Sequence, residues 1–265
     1  MKSLRQAQGF ILDMDGTFFL GERLLPGGLE FLALLNRLEI PFSFLTNNTS
    51  RSRADYVTKL TGFGVQEGDA RVFTAGDAAI RYLREQFDGN GICLIGTRSL
   101  REDFRAAGVR LDERKPAAVV LGYDTELTYA KLVRLCAFVR QGLPYFATHA
   151  DVNCPTPRGP IPDIGAMMAL VEKSTGRLPD KIFGKPDRNL IEQLSASLKL
   201  KPESLVMVGD RLYTDIAMGT TAGVGTALVL SGETKREDLP GSPFQPDFVC
   251  ENLAELGRML EAARE

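Results

Sequence analysis

The sequence predicts an α/β fold built on a parallel sheet, and three observations carry that prediction. Short apolar runs alternate with segments of helical apolar spacing along almost the whole chain of 265 residues, the pattern of β-α-β units joined by right-handed crossovers. The runs are continuously apolar, as in Phe10-Ile11-Leu12 and Leu205-Val206-Met207-Val208, so they belong to strands covered on both faces. Several stop abruptly at polar residues: Asp13-Met14-Asp15-Gly16-Thr17, Thr46-Asn47-Asn48, Lys185-Pro186 and Gly209-Asp210. Open parallel sheets bind ligands beyond the carboxyl ends of their strands, so these ends mark a candidate site as well as a fold.

The first strand, residues 10–12, emerges at Asp13 and Asp15. Alternate residues of an extended chain face the same way, and Gly16 permits a sharp departure. Two carboxylates this close repel unless a cation lies between them or one holds a proton; the alternative is an ordinary Asp-Gly turn. Pro26-Gly27-Gly28 opens a segment whose Leu29, Phe31, Leu32, Leu34, Leu35 and Leu38 recur at helical spacing. Pro41 begins the strand that delivers Thr46, residues 51–61 read as a helix closed by Gly62, and residues 72–74 add a short strand.

From about Asp77 the alternation persists but the strand ends change character. Residues 92–95 run into Gly96-Thr97, residues 117–121 into Gly122-Tyr123-Asp124, and residues 145–147 into Thr148-His149, with no lysine and no carboxylate pair. Helical segments at 100–107, 129–141 and 165–175 each precede a glycine. Residues 78–180 are therefore expected to form an inserted α/β domain, with 1–77 and 181–265 making up the domain that carries the site. The returning chain delivers Lys185 after an apolar run at 181–184, then Asp210 and Asp215, with helices at 188–198, 214–222 and 253–263 and strands at 226–230 and 248–249.

Composition excludes several function classes. Hydrophobic residues at 44% and charged residues at 25% are near the globular average, and a formal net charge of -2 gives no basic field for nucleic acid. No run approaches the ~20 apolar residues that span a bilayer, and the apolar run near the start is broken at Asp13, so a cytoplasmic protein is expected. Cys93, Cys136, Cys154 and Cys250 contain no C-x-x-C pair, which suggests free thiols in a reducing compartment. A single histidine, His149, rules out a multi-histidine metal site and turns metal chemistry toward carboxylates and Mg²⁺.

Taken in order, Asp-x-Asp-Gly-Thr at 13–17, Thr-Asn-Asn at 46–48, Gly-Lys-Pro at 184–186 and Gly-Asp at 209–210 followed by Asp215 resemble the four motifs of the haloacid dehalogenase (HAD) superfamily of phosphohydrolases. Each is weak alone; the ordered set is specific. An insert of this size between the second and third motifs resembles subfamily IIA, the branch of NagD-like sugar and nucleotide phosphatases, p-nitrophenyl phosphatases, phosphoglycolate phosphatases and pyridoxal phosphatases. The resemblance covers nearly the whole chain. It implies a Rossmann-like core with an inserted C2-type cap, and Mg²⁺-dependent hydrolysis of a small phosphorylated metabolite, a sugar phosphate or nucleoside monophosphate, through an aspartyl-phosphate.

The resemblance also implies roles. Asp13 is the nucleophile position and Asp15 the general acid and base; Thr46 and Lys185 meet the phosphate oxygens, with the amides of Asn47 and Asn48 beside them. Asp13, Asp210 and the carbonyl of Asp15 would hold Mg²⁺, with Thr17 and Asp215 supporting, although direct ligation by Asp215 stays open. The cap stretch 148–160 is the candidate specificity loop, stiffened by Pro155, Pro157 and Pro160. In it His149 and Arg158, with Tyr123 alongside, are the candidate substrate contacts, and Arg158 either pairs with a second anion on the substrate or is a solvated arginine. Alternatives are a phosphoglycolate or pyridoxal phosphate phosphatase, phosphotransfer to an alcohol, or a non-catalytic protein that binds a phosphorylated ligand. Asp15 argues against halide removal, because dehalogenases of the superfamily lack that carboxylate. Whether the chain forms a homo-oligomer is open.

Overall fold

The computed structural model describes residues 3–265. Its larger sheet has six parallel strands in the order Phe248–Cys250, Gly225–Val229, Leu205–Gly209, Gly9–Leu12, Phe42–Thr46, Val72–Thr74. Gly9–Leu12 lies at the centre, with Leu12 registered against Val208 on one side and Phe44 on the other. Its side chains divide by parity, as a pleated strand requires. Phe10 and Leu12 join an apolar layer with helices Gly28–Arg37 and Leu253–Arg264, while Ile11 enters a second layer with helices Asn189–Leu198 and Ala217–Ala222. Burial on both faces accounts for the uninterrupted apolar runs.

A second parallel sheet of four strands runs Lys181–Ile182, Tyr145–Ala147, Ala118–Leu121, Ile92–Ile95. One face carries helices Tyr129–Arg140 and Ile164–Thr175 over Cys93, Val119, Leu121 and Tyr145. Its other face, with Ile92, Leu94, Val120 and Phe146, shares one continuous apolar cluster with Ile11, Leu45 and Met207 of the larger sheet. The two sheets are thus joined by core and not by a wet interface.

Two features depart from expectation. The apolar run before Lys185 was expected among the strands of the site-bearing sheet, but Lys181 and Ile182 pair with Phe146 and Ala147 in the smaller one, so that sheet extends past residue 180. An apolar run does not encode which distant edge it pairs with. Helix Ala75–Gln86 has no counterpart in the reading from sequence. Thr74 and Asp77 form a capping box at its start, but its buried stripe is largely Ala75, Gly76, Ala78 and Ala79, too small-sided to stand out as a helical pattern. All four cysteines are free and buried. Among the described residues no helix is long and apolar enough to cross a membrane.

Candidate active site

The central strand stays in register to its end, where the Asp13 N–H donates to the Val208 carbonyl at 2.8 Å. The chain then folds back tightly, the Phe18 and Phe19 N–H groups both reaching the Met14 carbonyl. Gly16 makes this loop at φ 90°, and a Cβ there would stand 2.4 Å from Asp210 Oδ2. Only glycine meets both demands, the torsion and the close approach of the neighbouring strand end. Asp210 leaves the adjacent strand and accepts the Glu233 N–H at 2.7 Å. Asp215 follows in a π-type turn, Leu212–Ile216, its Oδ2 accepting the Arg211 N–H at 3.1 Å.

Lys185 reaches the same point from the smaller sheet. Asn47 clamps its backbone, Oδ1 accepting the Lys185 N–H at 2.7 Å and Nδ2 donating to the Lys185 carbonyl at 3.1 Å. The same Nδ2 donates to Asp151 Oδ1 at 3.0 Å. So held, the buried ammonium of Lys185 bonds to Asp13 and, at 2.7 Å, to Asp215 Oδ1.

Carboxylates exceed the charge that Lys185 supplies. Burial pushes the Asp13 pKa up to about 7, against the pull of Lys185 and with a further push from Asp215. Burial, then Asp13 and Asp215, hold Asp210 well above the carboxylate range, and burial raises Asp15 against the pull of Lys59 and Arg211. Burial opposes the charge on Lys185 itself, but Asp13 and Asp215 outweigh it and hold the ammonium above its ordinary value. Oxygen atoms of Asp13, Asp210 and Asp215 lie within 4.8 Å of one another, and Asp210 Oδ1 is buried with no hydrogen-bond partner. An all-oxygen set with surplus negative charge fits a hard divalent cation.

Of the residues singled out in the sequence, Asp13, Asp15, Thr46, Asn47, Asn48 and Lys185 line one cavity, with Asp210 and Asp215 behind it. Asn47 is committed to Lys185 and Asp151, and Asn48 is engaged by Ser50 and, at 3.6 Å, by Cys154 Sγ. Thr17 is buried with its hydroxyl unpartnered, outside the cavity.

The cap residues depart from expectation. Tyr123 and His149 are buried behind the wall, their rings 6.4 Å apart edge to face, and neither lines the cavity. Arg158 is exposed in the turn between Asn153–Cys154 and Ile161–Pro162, outside the lining. The wall comes instead from Asp151, Cys154, Pro155, Asp163 and Arg211. Arg211 donates to Asp151 Oδ2 at 2.8 Å and to the Asn153 carbonyl at 3.2 Å, and pairs with Glu233 at 2.9 Å. The signal overlooked was an arginine directly after Asp210 with acidic residues on both sides of the proline-rich loop. The free space between these side chains is about 20 Å³, room for roughly one water molecule. A larger cleft of about 880 Å³, among Arg53, Arg81 and Asp103, includes none of these site residues.

A model of the haloacid dehalogenase-like hydrolase family matches residues 10–110, and a HAD-hydrolase-like model matches residues 182–256. The chain is 31% identical over 252 residues to the 5'-nucleotidase YutF of Bacillus subtilis, covering 95% of this chain and 98% of that protein. It is also 31% identical to an acid sugar phosphatase of Staphylococcus haemolyticus, covering 94% of this chain and 95% of that protein. Among solved structures, a 4-nitrophenylphosphatase from Thermotoga maritima superposes with a TM-score of 0.91 at 46% identity, over 96% of this chain and 98% of that one. NagD from E. coli superposes at 0.84 and 30% identity, over 94% and 98%.

Proposed function

This chain belongs to the haloacid dehalogenase-like hydrolase family and is a phosphatase of small phosphorylated metabolites, and on that premise we propose that it hydrolyses sugar phosphates or nucleoside monophosphates with Mg²⁺ through an aspartyl-phosphate on Asp13. The observation that carries the reading is the convergence of Asp13, Asp15 and Lys185 at one cavity, with Asp210 grouped behind Asp13 and Lys185 bonded to Asp13 and Asp215. The names of the relatives support the substrate class.

A carboxylate of Asp13 attacks phosphorus while the bond to the leaving oxygen breaks, and Asp15 gives that oxygen its proton. Asp15 then takes a proton from water as the water attacks phosphorus, breaking the bond to Asp13 and releasing inorganic phosphate. The Lys185 ammonium neutralises phosphoryl oxygens, and Thr46 offers its hydroxyl to them. Asp215 and Asn47 hold Lys185 in place, one by its ammonium and the other by its backbone. Asp13, Asp210 and the Asp15 carbonyl would hold Mg²⁺, which supplies Lewis-acid stabilisation of phosphoryl charge when bound; the unpartnered Asp210 Oδ1 and the absence of nitrogen or sulfur among these donors support that choice.

Residues 78–180 serve in this reading as the cap. In this reading substrate enters as the wall formed by residues 151–163 withdraws. The test is phosphate release from a panel of sugar phosphates, nucleoside monophosphates, phosphoglycolate and pyridoxal phosphate, with EDTA and with added Mg²⁺. Turnover of the first two classes, abolished by EDTA and restored by Mg²⁺, is expected; metal-independent turnover would contradict the reading.

A further inference from the structure

We propose that Asp163, oriented by His149, selects the leaving group, favouring one that carries hydroxyl donors over one that carries a second anion. The inference rests on the phosphatase reading and adds to it a residue outside both stretches that the family models match. Asp163 is 2% exposed and forms part of the cavity wall with Asp151, Cys154 and Pro155. Its Oδ1 accepts the Ile164 N–H at 2.6 Å and meets His149 Nε2 at 3.1 Å. Both hydrogen bonds of the carboxylate converge on one oxygen, so Oδ2 of this wall residue is the one left to meet a ligand.

The Asp163 carboxylate, an acceptor, calls for the hydrogen on His149 Nε2, and a chain of hydrogen bonds can satisfy Nδ1 in that form. The Tyr123 N–H, a donor only, gives to Thr49 Oγ1 at 3.0 Å. Thr49 can then give its own hydrogen to Thr148 Oγ1, 3.0 Å away, and Thr148 to His149 Nδ1 at 3.1 Å. With Nδ1 accepting, Nε2 holds the hydrogen and donates to Asp163. The buried histidine, behind the wall and out of reach of substrate, thereby aims a carboxylate at it.

The rest of the wall points the same way. Asp151 has both oxygens engaged, by Asn47 and Arg211, and Arg211 is committed to Asp151, Asn153 and Glu233. Among the described residues, the cap side of the cavity presents carboxylates and no uncommitted cation. A polyhydroxylated leaving group supplies the donors such a wall needs, whereas a carboxylate or second phosphate would face like charge in a low-dielectric space.

Asp163→Asn keeps an acceptor for the Ile164 N–H but turns the cavity-facing acceptor into a donor. In the full chain with Mg²⁺, kcat/KM for a hexose phosphate or a ribonucleoside 5'-monophosphate should fall by about 10- to 100-fold, mostly through KM. Turnover of p-nitrophenyl phosphate, which offers no hydroxyl, should fall clearly less than turnover of the hydroxylated substrates, and 2-phosphoglycolate should become a better substrate. Asp163→Ser, which preserves a helix cap without the reach, should repeat the loss on hydroxylated substrates. Equal losses on all substrates, or no change on any, would overturn the assignment while leaving the phosphatase reading intact. Failure of the unaltered chain to turn over p-nitrophenyl phosphate with Mg²⁺ would remove both.

Discussion

Asp13, Asp15 and Asp210 are each more easily protonated in the folded chain than a carboxylate in water, burial being the largest cause in every case. A group whose folded pKa lies above its unfolded value contributes stability below the unfolded value and loses it as pH rises through the folded one. For Asp13 that window runs from 3.8 to about 7. The metal-free chain should therefore lose stability from these groups between mildly acidic and neutral pH, and a divalent cation, which binds their ionised forms, should return it at the upper end. Thermal unfolding at pH 5.5 and pH 8, with EDTA or saturating Mg²⁺, checks this: the Mg²⁺-induced rise in Tm should be on the order of 5 °C at pH 8 and smaller at pH 5.5. An equal or larger rise at pH 5.5 would contradict it. These carboxylates were legible in the sequence because each ends an apolar run, and a charge in that position has little reason to be there except to work.

The loop from Asp151 to Asp163 was less legible. Its prolines announce a stiff segment, but which side chains it turns inward depends on the two-residue strands Asn153–Cys154 and Ile161–Pro162 and their register, too short to leave a period in the sequence. Arg158 stands out by its charge and is exposed, while Asp151, two residues after His149, ties the loop to two strand ends of the larger sheet through Asn47 and Arg211. Asp151→Ala should leave the buried Arg211 guanidinium short of its main partner and loosen the clamp on Lys185. A destabilisation of about 3 kcal/mol by denaturant titration, with a fall in kcat for p-nitrophenyl phosphate, is expected; wild-type stability and kcat together would show that the pair does not carry the loop.

Across the whole molecule, alternating runs and their polar ends were enough to read a parallel α/β architecture, because strands buried on both faces cannot disguise their composition. What they could not convey was long-range pairing. Lys181 and Ile182 sit in the smaller sheet, and the apolar cluster joining both sheets has no local signature at all. Lys185 consequently arrives from the smaller sheet and Asp13 from the larger, so the site forms where the two meet. In the mechanism we propose, Asp13 supplies the oxygen that bonds to phosphorus at that meeting point. The most direct test is to quench the enzyme during steady-state turnover of a good substrate with Mg²⁺, reduce with borohydride, and map the product by mass spectrometry. An acyl phosphate on Asp13 would appear as homoserine at that position, absent with EDTA and absent in Asp13→Asn, which should also lose turnover by at least ~10³-fold. An unmodified Asp13 in an actively turning-over enzyme, or substantial activity in Asp13→Asn, would contradict the account.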